Sequence, residues 1–323
     1  MTLIQNALKC KNFDRPPVWL MRQAGRILPS YRSLREKYTL DELFQNSDLA
    51  AEVTKLPLDI LGVDAAILFT DIMMIAKLFG FKLKFVEKVG PVIEPLLQRP
   101  EDIQQMKPEG ELDIVKETIS LLKPTLNVPL IGFCGGPFTV ARYLVKDKKW
   151  FLSDPKMFHL LLEKLTAASI DYLKMQIKAG VNAVQIFDSW ANALTREEFL
   201  QFSLPYLKKI VGALKETQIP VIVFCRGSSL LPEELSSIQP DAISFDWHQE
   251  MQELRKKVPS TIAVQGNIDP EILKGPRALI ESSVKKLLTS MEDDPGFIVN
   301  LGHGVLPDTP LDNVKYFIDL VKQ

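Results

Sequence analysis

Eight short apolar runs, separated by stretches of helical spacing, predict an α/β fold: a single (β/α)8 barrel of the TIM type, with an inserted hairpin near residues 80–99. Three observations carry this expectation. The runs lack strict apolar–polar alternation, so they suit parallel strands buried on both faces. The β and α patterns alternate along all 323 residues, a length that one large barrel can fill. Finally, no G-x-G-x-x-G follows the first run, as a doubly wound sheet would favour, and one helix follows the last run, as barrel closure requires.

The runs fall at 17–21, 65–69, 129–134, 183–187, 220–225, 242–245, 262–264 leading into Gly266-Asn267, and 297–301. Between them, helical spacing is clearest at 47–61 with Ser47 as the expected cap, at 154–180 closing on Gly180, at 195–215 and at 310–321. Residues 80–99 depart from this rhythm. There Gly80-Phe81-Lys82-Leu83-Lys84-Phe85 and Gly90-Pro91-Val92-Ile93 alternate, with the turn expected at Gly90-Pro91, which reads as a hairpin and not a barrel strand. No Pro-, Gly- and Ser-rich linker and no low-complexity tract interrupts the chain, so residues 1–323 read as one domain.

The composition excludes several classes. An apolar fraction of 46% suits a large core, and 24% charged residues is ordinary for a soluble globule. A net charge of −1 gives no global reason to bind nucleic acid or an anionic membrane. The charge is unevenly spread, however. Residues 1–38 hold eight Lys or Arg against Asp14 and Glu36, a net of +6, so the remainder carries −7. A basic segment on a near-neutral chain points to a small polyanionic ligand more than to a polymer. The three cysteines, Cys10, Cys134 and Cys225, are far apart and odd in number, which suits a reducing compartment. No leader pattern opens the sequence, and no run approaches the roughly 18 apolar residues of a membrane span. The expectation is a cytoplasmic protein.

In barrels of this type the chemistry sits where the strands end. The residues after the runs are Arg22-Gln23-Ala24-Gly25-Arg26, Thr70-Asp71, Gly135-Gly136, Asp188-Ser189, Arg226-Gly227, Asp246, Gly266-Asn267-Ile268-Asp269 and Gly302-His303-Gly304. Arg22 and Arg26 form a clamp suited to carboxylates, since each guanidinium donates in a planar fork, and Gly25 lets the chain bend so that both face one cavity. Asp71 is either a helix cap or a catalytic anion, and one residue can be both; arginines nearby would keep it ionised. His303, between two glycines, suits either a carboxylate donor or a proton shuttle, with a phosphate cradle as the rival reading of Gly302-His303-Gly304. His159 and His248 fall in helical stretches and read as packing or surface residues. Cys134, Cys225 and His303 are chemically competent for zinc, but each cysteine ends an apolar run and no two ligands are closely spaced, so no metal is expected.

The string Pro17-Val18-Trp19-Leu20-Met21-Arg22-Gln23-Ala24-Gly25-Arg26 closely resembles the N-terminal signature of the uroporphyrinogen decarboxylase family. Gly132-Phe133-Cys134-Gly135-Gly136-Pro137-Phe138-Thr139 is similar to its second signature. Phe187-Asp188-Ser189-Trp190, Gly266-Asn267-Ile268-Asp269-Pro270 and Asn300-Leu301-Gly302-His303-Gly304 match further blocks in order along the chain. The resemblance implies a distorted (β/α)8 barrel, usually a homodimer, working without cofactor or metal. It assigns Arg22, Gln23, Ala24, Gly25, Arg26, Asp71, Tyr143, Ser189 and His303 to the substrate, with Asp71 and Arg22 catalytic. Ile27, Ser30, Arg226 and Ala191-Asn192 stand where tyrosine, glutamate, lysine and glycines are common; no matched site residue is lost.

The implied reaction converts the four acetates of uroporphyrinogen III to methyls, giving coproporphyrinogen III and CO2 in heme biosynthesis. Protonating the ring carbon beside an acetate supplies the electron sink, so the chemistry calls for no cofactor. Asp71 would accept the central pyrrole N–H groups and stabilise the ring cation. The proton donor stays open: Arg22 is the family-style candidate, its guanidinium is a weak acid, and His303 and Tyr143 are the fallbacks. Two rivals remain. A zinc-dependent cobamide-type methyltransferase would need a His-x-Cys pair near the fifth run, which reads Val223-Phe224-Cys225-Arg226-Gly227. A non-catalytic tetrapyrrole-binding protein would keep the cleft and not the turnover.

Overall fold

A computed structural model describes residues 1–86, 90–110, 112–145 and 153–323. Nine strands occur among them: β1 (Ala66–Ile67), β2 (Lys82–Val86), β3 (Gly90–Glu94), β4 (Leu130–Gly135), β5 (Ala183–Asp188), β6 (Val221–Cys225), β7 (Ala242–Ser244), β8 (Ala263–Ile268) and β9 (Phe297–Leu301). Seven of them form one parallel sheet in the order β1-β4-β5-β6-β7-β8-β9. Every residue of these seven strands is buried, which is why their sequences read as unbroken apolar runs.

The predicted first run closes the ring. Val18 bridges Val299 in parallel, Val299 N donates to Pro17 O at 2.9 Å, and Asp64 N donates to Val18 O at 2.8 Å. Two prolines at 16 and 17 cannot donate to a ladder, so this segment never becomes a regular strand. Asp64 compensates. Its carboxylate accepts from Val18 N at 2.8 Å and from both Nη atoms of Arg15, at 2.8 and 2.7 Å, clamping the start of the segment to the neighbouring strand.

A polar network runs through the barrel interior. Trp19 Nε1 donates to Gln265 Oε1 at 2.9 Å, and Gln265 Nε2 donates to Ser244 Oγ at 3.0 Å and to Gln185 Oε1 at 3.3 Å. All four side chains are fully buried. Each finds a partner, as polar groups in a dry interior must. The network links the first run to β5, β7 and β8 beneath the mouth.

Several local expectations are corrected. β2 and β3 form the predicted antiparallel hairpin, but Gly90 and Pro91 pair with Val86 and Phe85, so they lie inside β3; the turn itself lies outside the described residues. Gly266 and Asn267 are strand residues of β8, not its exit. The helix Ser47–Leu61 is capped by Asn46, whose side chain accepts from Leu49 N, and Ser47 is already helical. The 195–215 stretch divides into Arg196–Phe202 and Leu204–Leu214, breaking at Ser203 just before Pro205, whose ring suits a helix start. His248 lies in a bend ahead of the helix Met251–Arg255, not in a helix. His159 does lie in the long helix Pro155–Ala179, stacked on Phe202 with Nδ1 2.6 Å from the Tyr206 hydroxyl.

Candidate active site

The turn after the first run carries Arg22 in the left-handed region, with φ of 61°. A residue with a Cβ pays of order 1–3 kcal/mol for such a backbone, so the surroundings must impose it. They do so from both sides. Gln23 is fully buried; its Oε1 accepts from Leu20 N and its Nε2 donates to Ala65 O, both at 3.0 Å. On the other flank Met21 N donates to Asn300 Oδ1 at 3.2 Å, and Val305 N donates to Met21 O at 2.9 Å. Gln23 therefore builds the turn, and its side chain is spent within the core. Ala24 and Gly25 are half-buried, and Arg26 is exposed at the rim.

Arg22 stands open to solvent at the mouth, yet its protein walls displace enough water to lower its pKa, against the opposing pull of Asp71 and Tyr143. Asp71 follows β1. Its Oδ1 accepts from Met73 N at 2.8 Å in the turn ahead of the helix Met74–Leu78, whose N-cap is Met73, so the expected capping role of Asp71 is corrected to that of a turn brace. The expectation that cations dominate this carboxylate is corrected. Desolvation raises its pKa to about 6, outweighing the Met73 N–H, Arg22 and Lys77. At neutral pH the group is still largely ionised. Gly135, at the end of β4, closes this loop from below. It donates from N to Ile72 O at 3.1 Å, and a Cβ there would come within 2.5 Å of that oxygen.

Tyr143 lies on the helix Pro137–Leu144, half-buried and facing Arg22, with its ring 5.9 Å from Trp190. Ser189 is half-buried in the turn after β5. A buried node joins the two segments. Asp188 accepts from Thr139 N at 3.0 Å and from the hydroxyls of Thr139 and Ser203, while Trp190 N donates to Thr139 Oγ1 at 3.0 Å. Desolvation raises the Asp188 pKa despite these three donors. Its role is to hold the β5 exit against the Tyr143 helix.

His303 sits half-buried with its ring 5.8 Å from Phe224. Burial, assisted by Arg22 and Arg226, depresses its pKa to about 4, with Asp246 pulling the other way. The imidazole is thus neutral at neutral pH. It can donate one N–H, and its lowered pKa weighs against its being a store of protons in the free protein. Asp246, fully buried after β7, accepts from Gly227 N at 2.5 Å and lies 3.2 Å from His248 Nδ1.

No group of three or more His, Cys, Asp or Glu side chains is arranged to hold a metal among the described residues. Cys134 and Cys225 are fully buried, and desolvation pushes both thiols upward, away from the thiolate form that binds zinc.

A family model described as Uroporphyrinogen decarboxylase (URO-D) matches residues 1–323. The chain belongs to the uroporphyrinogen decarboxylase family. It is 49% identical over 329 residues to a uroporphyrinogen decarboxylase of Protochlamydia amoebophila, an alignment covering 98% of this chain and 90% of that one. Identity to the Thermus thermophilus enzyme of that name is 40%, covering 99% and 97% of the two chains. Among solved structures, a methyltransferase from Methanosarcina mazei superposes with a TM-score of 0.83 at 23% identity, covering 100% of this chain and 98% of that one, a likeness of fold. The chain is a carboxy-lyase, and its activity is the decarboxylation of uroporphyrinogen in heme biosynthesis.

For a decarboxylase of this family, the sequence named the residues that ring the mouth: Arg22 faces Asp71 and Tyr143, and its charge reaches His303. It missed three supports. Asp188 and Asp246 stood out as strand exits without a role, and Gln23, expected only as a substrate contact, also braces the turn through its side chain. The signal for all three is a polar residue within or directly after an apolar run, where burial forces it to satisfy its neighbours.

Proposed function

We propose that the mouth bounded by Arg22, Asp71, Tyr143, Ser189 and His303 binds the macrocycle and is where each acetate is lost. Arg26 grips peripheral carboxylates, and Arg22 holds the reacting acetate. The Gln23-Ala24-Gly25 turn contributes its backbone. Asp71 accepts the central pyrrole N–H groups. Tyr143, Ser189 and neutral His303 donate to side-chain carboxylates. The observation that carries this reading is Arg22, locked in a left-handed backbone and opposed to Asp71, with the field of each acting on the other.

The chemistry follows from charge. A proton added to the ring carbon beside the acetate makes a pyrrolic cation. The carbon–carbon bond to the carboxylate then breaks, its electron pair flows into the ring, and CO2 leaves. Protonation of the exocyclic methylene and loss of the ring proton restore the pyrrole with a methyl, so each cycle consumes one proton. Asp71, ionised in a poorly hydrated pocket, stabilises the cation electrostatically. The electron sink lies in the substrate, so no step calls for a cofactor.

Anaerobic incubation of Asp71→Asn with uroporphyrinogen III, with products resolved by carboxyl count, tests the assignment. The variant should fold and lose most turnover; near-normal turnover overturns the role. Because the barrel positions run from Val18 to Leu301, we read residues 1–323 as one domain, which a single cooperative unfolding transition tests. The family resemblance also supports a cytoplasmic homodimer. Leu230, 67% exposed just after β6, offers an apolar contact near the mouth, and the molar mass in solution decides the point.

A further inference from the structure

Around the ring, β6 lies four positions from the 17–21 segment in either direction, so its exit is across the mouth from Arg22 and Arg26. That exit is Arg226. Its side chain is exposed and makes no ion pair among the described residues. Asp246, a fully buried carboxylate at the neighbouring β7 exit, forms no ion pair with it among the described residues. Asp246 spends its oxygens on the backbone that follows: Oδ2 accepts from Gly227 N at 2.5 Å, Oδ1 accepts from Ser229 N at 3.4 Å, and Ser228 Oγ accepts from Asp246 N at 2.9 Å. On the other side Arg226 N donates to Asp188 O at 3.4 Å. The β5 exit therefore holds the backbone of Arg226 and Asp246 holds the residues that follow it, while its guanidinium has no ion-pair partner among the described residues and its field reaches His303 inside the mouth.

A substrate with eight carboxylates spread around a macrocycle leaves those far from Arg22 and Arg26 without a counter-charge. We propose that Arg226 is a third carboxylate-binding guanidinium of the cleft, taking a propionate on the side of the macrocycle opposite Arg22 and Arg26. The choice of propionate follows from the reaction sequence. Acetates disappear one by one, whereas the four propionates persist through every cycle, and an anchor used in all cycles must bind a group present in all of them. This inference rests on the substrate lying over Arg22 and Asp71 as proposed above.

Steady-state kinetics with the eight-carboxyl substrate and with a five-carboxyl porphyrinogen, under anaerobic conditions, test it in Arg226→Gln, Arg226→Lys and Arg26→Gln. A lost charged hydrogen bond corresponds to about 10- to 100-fold, so Arg226→Gln should raise KM by that factor for both substrates, with kcat within about threefold. Arg226→Lys, which keeps the charge without the fork, should recover most of the loss. The KM of Arg226→Gln should also rise less steeply with salt than that of the unmodified enzyme. Unchanged KM, or a fall in kcat alone, overturns the proposal. A rise confined to the eight-carboxyl substrate assigns Arg226 to an acetate and overturns the propionate. If Arg26→Gln also leaves KM unchanged, the substrate placement itself fails; if it raises KM and Arg226→Gln does not, only Arg226 is excluded.

Discussion

The side chain of Arg22 lies against the backbone of Gly304, across the seam where the first barrel segment meets β9. A Cβ at position 304 would come within 2.6 Å of Arg22 Cγ and 3.0 Å of its Nε. Glycine is thus required here by the arginine and not by its own backbone. Gly304→Ala should fold normally and push the guanidinium aside. Misplacing a substrate-holding group by about an ångström costs up to about 100-fold. A kcat/KM lowered by about 10- to 100-fold with an unchanged melting temperature is the expected result; an unaffected kcat/KM would show that Arg22 reaches its position without this groove.

Asp71 carries a testable pH signature. Its native pKa of about 6 lies above the ordinary 3.8, so between those values the folded chain holds a proton that the unfolded chain has released. The group's unfavourable burial is therefore absent below about pH 4, grows as pH rises through about 6, and is complete at pH 7. Two pKa units correspond to about 3 kcal/mol at most. Asp71→Asn should stabilise the fold at pH 7 by about 1–3 kcal/mol and bring no gain at pH 4, as read from denaturant unfolding at both pH values. In the same window kcat/KM of the unmodified enzyme should fall as pH drops below about 6, a break that the variant's residual activity lacks.

His303 should titrate near pH 4 in the free enzyme, since burial and two arginines disfavour its cation. Its imidazole NMR signals should move below pH 5 and stay constant from pH 6 to 8. Consequently, His303→Gln should leave the shape of the pH–rate profile unchanged while weakening substrate binding. A titration centred near 6.5 would contradict the depressed value and reopen the imidazolium as an acid.

Much of the architecture was legible along the chain because burial on both faces leaves a local mark. The eight apolar runs became seven sheet strands and the Val18 bridge that joins β1 to β9. Arg22 and Arg26 after the first run, Asp71 after its strand, and His303 between glycines stood out because each sits where a periodic pattern stops. The hairpin turn at Gly90-Pro91, the cap at Ser47 and the continuous helix at 195–215 were misread. In each case the decisive interaction, a cross-strand register, the Asn46 side chain or the Ser203 break, competes with an equally plausible local signal one to three residues away.

By itself the sequence determined the barrel, the family and the residues at the strand exits, since periodicity, glycine punctuation and long motifs are properties of consecutive residues. Tertiary structure alone decided how those residues behave. Gln23 turns inward to brace Ala65, Asp71 becomes a weaker acid than its cationic neighbours would make it, and His303 loses its charge. Arg226 lies across the ring from Arg22 only because three strands separate their segments on either side. Desolvation and Coulomb fields depend on what stands nearby in space, and those neighbours come from segments up to some 280 residues apart, as with Met21 and Asn300.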